Sequence, residues 1–218
     1  MIIVYSLKHS VNDEILYSLR SLALNLKCEF KVVIYANYKV EGLKNIEFRQ
    51  VAEHGDTQQK QGLIYQDIIK SKIKDFYFMN DDIYLLKPID FIQLYYRSSC
   101  VTKFQNSWVG KLNATLHYLS SNNKPFIDYE THTPYLINSK KLSSLKEVLS
   151  GEHLLATRFY NEFNYDIKRH CKMDKLSVFS ERKINISNAI WLNNDDAGLS
   201  SVMPILKDKF PNKCLFEC

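Results

Sequence analysis

Two adjacent carboxylates and an amide, Asn80-Asp81-Asp82, sit between the apolar runs Phe76-Tyr77-Phe78-Met79 and Ile83-Tyr84-Leu85-Leu86. Such a triplet is otherwise an ordinary solvated turn, but a turn that merely covers a surface has no need of core residues on both sides, and the setting favours a chemical centre. Oxygen ligands on a tight turn suit a hard divalent cation, Mg2+ or Mn2+. The reaction such a centre serves is the departure of a diphosphate. That group is strongly anionic and a poor neighbour for carboxylates, and a cation between them neutralises the charge building on the leaving oxygen. Asp82 is the expected ligand, with Asp81 and Asn80 supporting the ion or a ribose.

Further candidates lie along the chain. His132 stands between two threonines and just before Pro134. It is either a further metal ligand or diphosphate contact, or a capping or core histidine in an ordinary turn. Asp128 and Glu130 flank Tyr129 and project to the same side of an extended chain. One of them, not separable by sequence, could act as the general base on an acceptor hydroxyl; the alternative is two solvated carboxylates. Arg158 is the best candidate cation for phosphate oxygens, which Arg binds bidentately. Lys60, in the first turn of an expected helix, comes next, whereas Arg20 reads as a surface salt bridge. Ser6 and His9 follow the first apolar run, where a nucleotide base or ribose would be met. Asn193-Asn-Asp-Asp-Ala-Gly198 could offer a second metal site or an acceptor-side loop, but its composition also makes a good turn and it is read as mostly structural. No Walker loop, GxGxxG, HExxH or GxSxG is present, which excludes P-loop kinases, Rossmann dehydrogenases, zincins and serine hydrolases.

These residues need a scaffold, and the first half of the chain supplies one as alternating strands and helices. Strands are expected at Ile2 to Ser6, Lys31 to Ala36, Ile46 to Val51 and Asp75 to Met79. The helix after the first strand has Asn12 or Asp13 as its cap and carries Ile15, Leu19, Leu22 and Leu26 at helical spacing. A second helix, about Gln58 to Lys72, sets Ile64 with Ile68 and Tyr65 with Ile69. Strands separated by helices of this length imply crossovers and a mainly parallel sheet. Ligands bind outside the carboxyl ends of such strands, and the acidic triplet ends one of them. The second half is less regular, with helices expected at about Asn106 to Ser120, Ser139 to Leu149 and Glu152 to Arg169.

With 218 residues the chain fits one domain, read as a nucleotide-binding half over residues 1–105 and an acceptor-side half over 106–218. A net charge of +5 favours polyanionic or phosphorylated partners. No run reaches the roughly 18 apolar residues of a membrane span, and Met1 to Tyr5 reads as a strand, not a leader. Five cysteines without a CxxC pair indicate neither a disulfide framework nor a zinc site, which suits a reducing cytoplasm. A Cys214–Cys218 clip is the one disulfide the spacing would allow, and the sequons at Asn113 and Asn185 are read as accidental.

The stretch Asp75-Phe-Tyr-Phe-Met-Asn-Asp-Asp-Ile-Tyr-Leu-Leu-Lys-Pro-Ile89 resembles the DxD region of glycosyltransferases with the GT-A fold. More narrowly, it resembles the second signature region of Stealth-type sugar-phosphate transferases, which make capsular polysaccharides, and of short related phage proteins. Asp13-Glu-Ile-Leu-Tyr-Ser-Leu-Arg-Ser-Leu22 is similar to their first helix, and Tyr129-Glu-Thr-His-Thr-Pro134 to their His-containing segment. Arg158-Phe-Tyr-Asn-Glu-Phe163 follows as an Arg-led helix does there. The likeness runs in scattered blocks from Ile2 to Phe163. It implies a GT-A-like α/β fold, a nucleotide diphosphate sugar as donor (a uridine diphosphate sugar first), Mn2+ or Mg2+, and a functional His132. The acceptor it implies is a hydroxymethylated pyrimidine of phage DNA, in a bacterial host cytoplasm, or else a glycan. Full-length members are longer and carry Trp-Val-Asp where this chain has Val4-Tyr-Ser-Leu-Lys-His9. Simple glycosyl transfer is therefore expected, with sugar-phosphate transfer and a non-catalytic sugar-nucleotide or glycan-binding module as the alternatives.

Overall fold

The computed structural model describes residues 1–7, 13–52, 56–98, 108–145, 150–163, 165, 167–169 and 174–218. In chain order the elements begin β1 (Ile2–Ser6), α1 (Glu14–Asn25), β2 (Lys31–Ala36), β3 (Ile46–Gln50), α2 (Thr57–Lys70), β4 (Asp75–Asn80) and β5 (Ile83–Leu85). They continue with β6 (Tyr95–Tyr96), α3 (Val109–Ser121), β7 (Tyr135–Asn138), α4 (Ser139–Ser143) and α5 (Leu155–Glu162). The last are β8 (Lys168–Arg169), β9 (Lys175–Val178), β10 (Trp191–Asn194) and α6 (Leu199–Lys209).

The architecture is mixed α/β around a central, mostly parallel sheet in the order β3-β2-β1-β4-β7. Only β7 runs antiparallel, against β4. Its inner strands are apolar on both faces because helices cover both. Ile3 and Tyr5 of β1, with Val32 and Ile34 of β2, pack against Ile15, Leu19 and Leu22 of α1. The alternate residues Val4, Val33 and Tyr35 meet Ile64 and Ile68 of α2 and Phe159 of α5 on the other side. Leu19 and Leu22 are wholly buried, each contributing about 1.5–3 kcal/mol.

The chain steps outward from β1 to β2 and β3, then crosses back past β1 to β4. The winding reverses between β1 and β4, and a crevice opens at their carboxyl ends. Only Asp81 and Asp82 separate β4 from β5, which starts a second sheet in the order β5-β10-β9. In that sheet β10 is antiparallel to β5 and parallel to β9. Gly198, ahead of α6, lies so close to Val178 at the end of β9 that a Cβ there would collide with the Val178 carbonyl. No helix of the described residues is long and apolar enough to cross a membrane.

The four expected strands and first two helices form where the periodicity places them. The helix expected over 152–169 does not: it is confined to Leu155–Glu162. Its first donors are taken by other elements, Leu154 N by Thr115 Oγ1 and Leu155 N by Gln58 Oε1. At its far end Phe163 turns extended. Phe163 and Tyr165 pack onto Phe159, with the Lys141 ammonium over both of their rings. Lys168–Arg169 then pairs with β6 as a strand. The helix expected over 139–149 ends at Ser143, and residues 146–149 lie outside the described residues.

The chain's end folds back onto α1. Arg20 donates through Nε and Nη2 to Glu217 at 2.8 and 2.7 Å, and through Nη1 to the Phe210 carbonyl at 3.1 Å. Arg20 does form the salt bridge expected of it, but the pair is largely buried and holds the tail instead of lying on the surface, while Cys214 and Cys218 are free thiols.

Candidate active site

The crevice between β1 and β4 collects five of the expected residues. Ser6 and Asn80, the last residues of their strands, are direct partners in the ladder. Beside them the Lys60 ammonium donates to the Leu7 carbonyl, which fixes a buried cation at the mouth of β1. Asp81 and Asp82 follow, 1% and 7% exposed, so both carboxylates are turned inward and not to bulk water. His9, expected beside Ser6, lies outside the described residues.

Around the triplet stand groups the sequence did not single out. Glu14, in the first turn of α1, is fully buried, and its Oε1 accepts from Asn194 Nδ2 at 2.6 Å. The Tyr84 hydroxyl is held far above its ordinary pKa by burial and then by the charges of Glu14, Asp82 and Asp81, which places three carboxylates around one phenol. The polar run from Asn193, expected mostly as a turn, has two parts. Asn193 and Asn194 are the buried end of β10, with Asn194 N directed to the Asp82 carbonyl at 3.4 Å. Asp195 makes the turn itself, its Oδ1 accepting from Gly198 N at 2.9 Å. From the β2 end of the crevice, Tyr38 is raised in pKa by partial burial and by Asp81.

A second group faces the triplet from the segment that follows β6 and from β9. Asp128 is anchored in an isolated bridge to Ser98, and its carboxyl pKa is raised by burial against the opposing pull of the Glu130 amide, Arg97 and Lys175. Glu130 Oε1 accepts from Thr157 N at 3.1 Å, in the first turn of α5. Burial and the nearby Asp128 charge nonetheless raise the Glu130 pKa to about 7. Lys175 donates to the Thr131 carbonyl. Burial and Arg97 lower its pKa to about 7, against the stabilising charges of Asp82 and Asp128. Lys175 therefore links the two halves of the site, one carboxylate from each acting on the same ammonium.

His132 holds this turn with a left-handed backbone, φ 48°. Its neighbours Thr131 and Thr133 share a hydroxyl–hydroxyl bond of 2.8 Å, and its ring meets Phe179 at 6.2 Å. Although the residue is exposed overall, crowding around the ring and the charges of Lys175 and Arg97 hold the imidazole below the usual histidine range. Among the described residues no three His, Cys, Asp or Glu side chains converge as a metal-ligand group, so His132 is not gathered with Asp81 and Asp82.

Asp81 and Asp82 alone still fit Mg2+ or Mn2+, because such ions commonly take one or two carboxylates and complete their shell with phosphates and water. The neighbouring Asn193 amide fits as well. It is buried, and neither its Oδ1 nor its Nδ2 has a hydrogen-bond partner, which marks a place for a ligand or water.

Arg158 is placed otherwise than the sequence suggested. Its side chain is wholly buried, the guanidinium lies over the Tyr118 ring, and Nη1 pairs with Glu162 at 2.9 Å. That geometry packs α3 against α5 and does not present a cation to the crevice.

Compared with models of known protein families and with curated proteins, the sequence matches none. Of the groups not assigned a role from sequence, Arg97 and Lys175 lie in segments with no periodic or motif signal, whereas Glu14 lies in the first-helix block and Asn193 and Asn194 in the polar run already noted.

Proposed function

We propose that this chain is a GT-A-like, metal-dependent glycosyltransferase that moves a sugar from a nucleotide diphosphate sugar to an acceptor hydroxyl. The observation that carries the reading is the pair Asp81-Asp82, turned inward at the carboxyl ends of β1 and β4 where the winding reverses. Asp82 and Asp81 would hold Mn2+ or Mg2+, which when bound neutralises charge on the departing diphosphate. Ser6 and Asn80 line the adjoining strand ends and would meet the ribose or base, with Lys60 supplying a fixed positive charge. Across the site Glu130 is the proton acceptor: with a pKa of about 7 it is ionised just above neutrality and takes the acceptor's hydroxyl proton as the bond to the sugar forms. Asp128 tunes it by raising that pKa. The acceptor hydroxyl belongs to a hydroxymethylated base of DNA or to a glycan.

The test is a screen of nucleotide sugars with and without EDTA, analysing the released nucleotide. Release of nucleoside diphosphate that needs Mn2+ or Mg2+ and falls at least about 100-fold in Asp82→Ala is the expected result. Nucleoside monophosphate as product would instead establish sugar-phosphate transfer. Tight donor binding with no release from any donor would leave a binding module.

A further inference from the structure

We propose that the cleft along the outer edge of β9 binds a single-stranded nucleic acid and delivers one of its nucleotides to the carboxylates of Asp82 and Asp128. The inference rests on the sugar-transfer reading, since it assigns the acceptor side of that same site. The cleft measures about 440 Å3 and lies between Lys175–Ser177 and the segment Arg182–Asn185. Ligand-sized clefts occupy roughly 300–1,000 Å3. Three of its lining side chains, Lys175, Arg182 and Lys183, are cationic, and none is acidic.

The cations are arranged in order. Arg182 is held at the outer wall, its Nη2 donating to the Ser177 carbonyl at 2.5 Å and its amide to Ser201 Oγ at 2.9 Å. Asn185 Oδ1 accepts from Ser187 N at 3.0 Å, which turns the amide nitrogen toward other partners. At the inner end Lys175 reaches the Thr131 carbonyl and stands within the fields of Asp82 and Asp128. The cleft thus leads from open surface to the candidate chemistry. Beside its inner end Phe179 is 51% exposed and meets the exposed His132 at 6.2 Å.

Cations that track a backbone, beside exposed aromatic rings on which bases stack, are the combination that binds single strands without sequence preference. A neutral glycan would offer no counter-charge to Arg182 and Lys183 on the cleft wall. The net charge of +5 acts in the same direction as the cleft. Donor phosphates are already provided for at the β1–β4 crevice by Lys60 and the acidic pair.

The experiment measures binding of a fluorescein-labelled oligothymidylate of about twelve nucleotides by anisotropy across a salt series. Wild-type protein is expected to bind with a log–log salt slope of about −1.4, about 0.7 for each phosphate contact of Arg182 and Lys183. The double variant Arg182→Gln, Lys183→Glu is expected to lose at least about tenfold in affinity and roughly 1.4 from the slope. Lys183→Gln alone keeps both Arg182 contacts and should lose about 0.7 from the slope, with folding checked by circular dichroism.

No salt-dependent binding, an unchanged slope in both variants, or tighter binding of a duplex or an anionic polysaccharide would overturn the proposal. Displacement of the strand by uridine diphosphate with Mn2+ would do the same, by assigning the cations to the donor. Donor turnover by the same wild-type preparation is scored separately. Strand binding without turnover keeps the cleft assignment and removes the transferase reading, while turnover without strand binding removes the cleft.

Discussion

At the scale of the residue, Glu130 is the most informative position, because activity and stability should respond to it in opposite directions. Its folded pKa of about 7 lies above the ordinary carboxylate value. The fold therefore favours the neutral acid, and the stability this gives is fully present below the unfolded pKa, about 4.3, and is lost as pH rises through about 7. A base with that pKa makes kcat/KM fall as pH drops below it. Glu130→Gln should lose roughly 10²–10⁴-fold in turnover while its Tm at pH 8 equals or exceeds that of wild type. A lower Tm together with unimpaired turnover would assign Glu130 to the capping of α5 alone. The acidic triplet was legible in sequence because apolar strand and turn chemistry meet abruptly at Asn80. Lys175 and Arg97 were not, since partners as far along the chain as Thr131 from Lys175 and Asp128 from Arg97 leave no local trace.

The element that departs furthest from expectation is α5, and it also corrects the role of Arg158. Periodicity marks Phe159 and Leu155 as inward-facing, and both are buried. What periodicity cannot show is that Gln58, Thr115 and Glu130, from three other segments, terminate the helix at its amino end. Nor does it show that aromatic packing draws Phe163 and Tyr165 out of helical geometry. Arg158→Ala removes one partner of a buried pair and the guanidinium over Tyr118, and is expected to cost about 3 kcal/mol in urea unfolding. Its KM for donor should stay within about twofold of wild type, whereas a lost phosphate contact would raise it about tenfold or more. The first four strands, by contrast, were readable almost to the residue, whereas β5 to β10 were not assigned. Strands covered on both faces are continuous in apolar side chains and stop where those stop.

For the molecule as a whole, closure depends on groups far apart in the chain. Arg20 and Glu217 are separated by 197 residues and joined bidentately. Burial opposes ionisation of Glu217, but the Arg20 hydrogen bonds outweigh it and hold the carboxyl below its ordinary range. The resulting stability is present above the unfolded carboxyl pKa, about 4.3, and is lost as pH falls through the lower folded value. Glu217→Gln should lower stability by about 2 kcal/mol at pH 7, and thermal melts of the two proteins should converge in acid. A constant gap across pH would show that packing of the tail, not its charge, is what matters. The two-residue span of Asp81 and Asp82 between β4 and β5 has a mechanical consequence of its own. The crevice wall and the β5-β10-β9 sheet share a single short crease. Whatever grips those carboxylates would act as a rivet through that crease, tying the central sheet to the sheet whose far edge is β9.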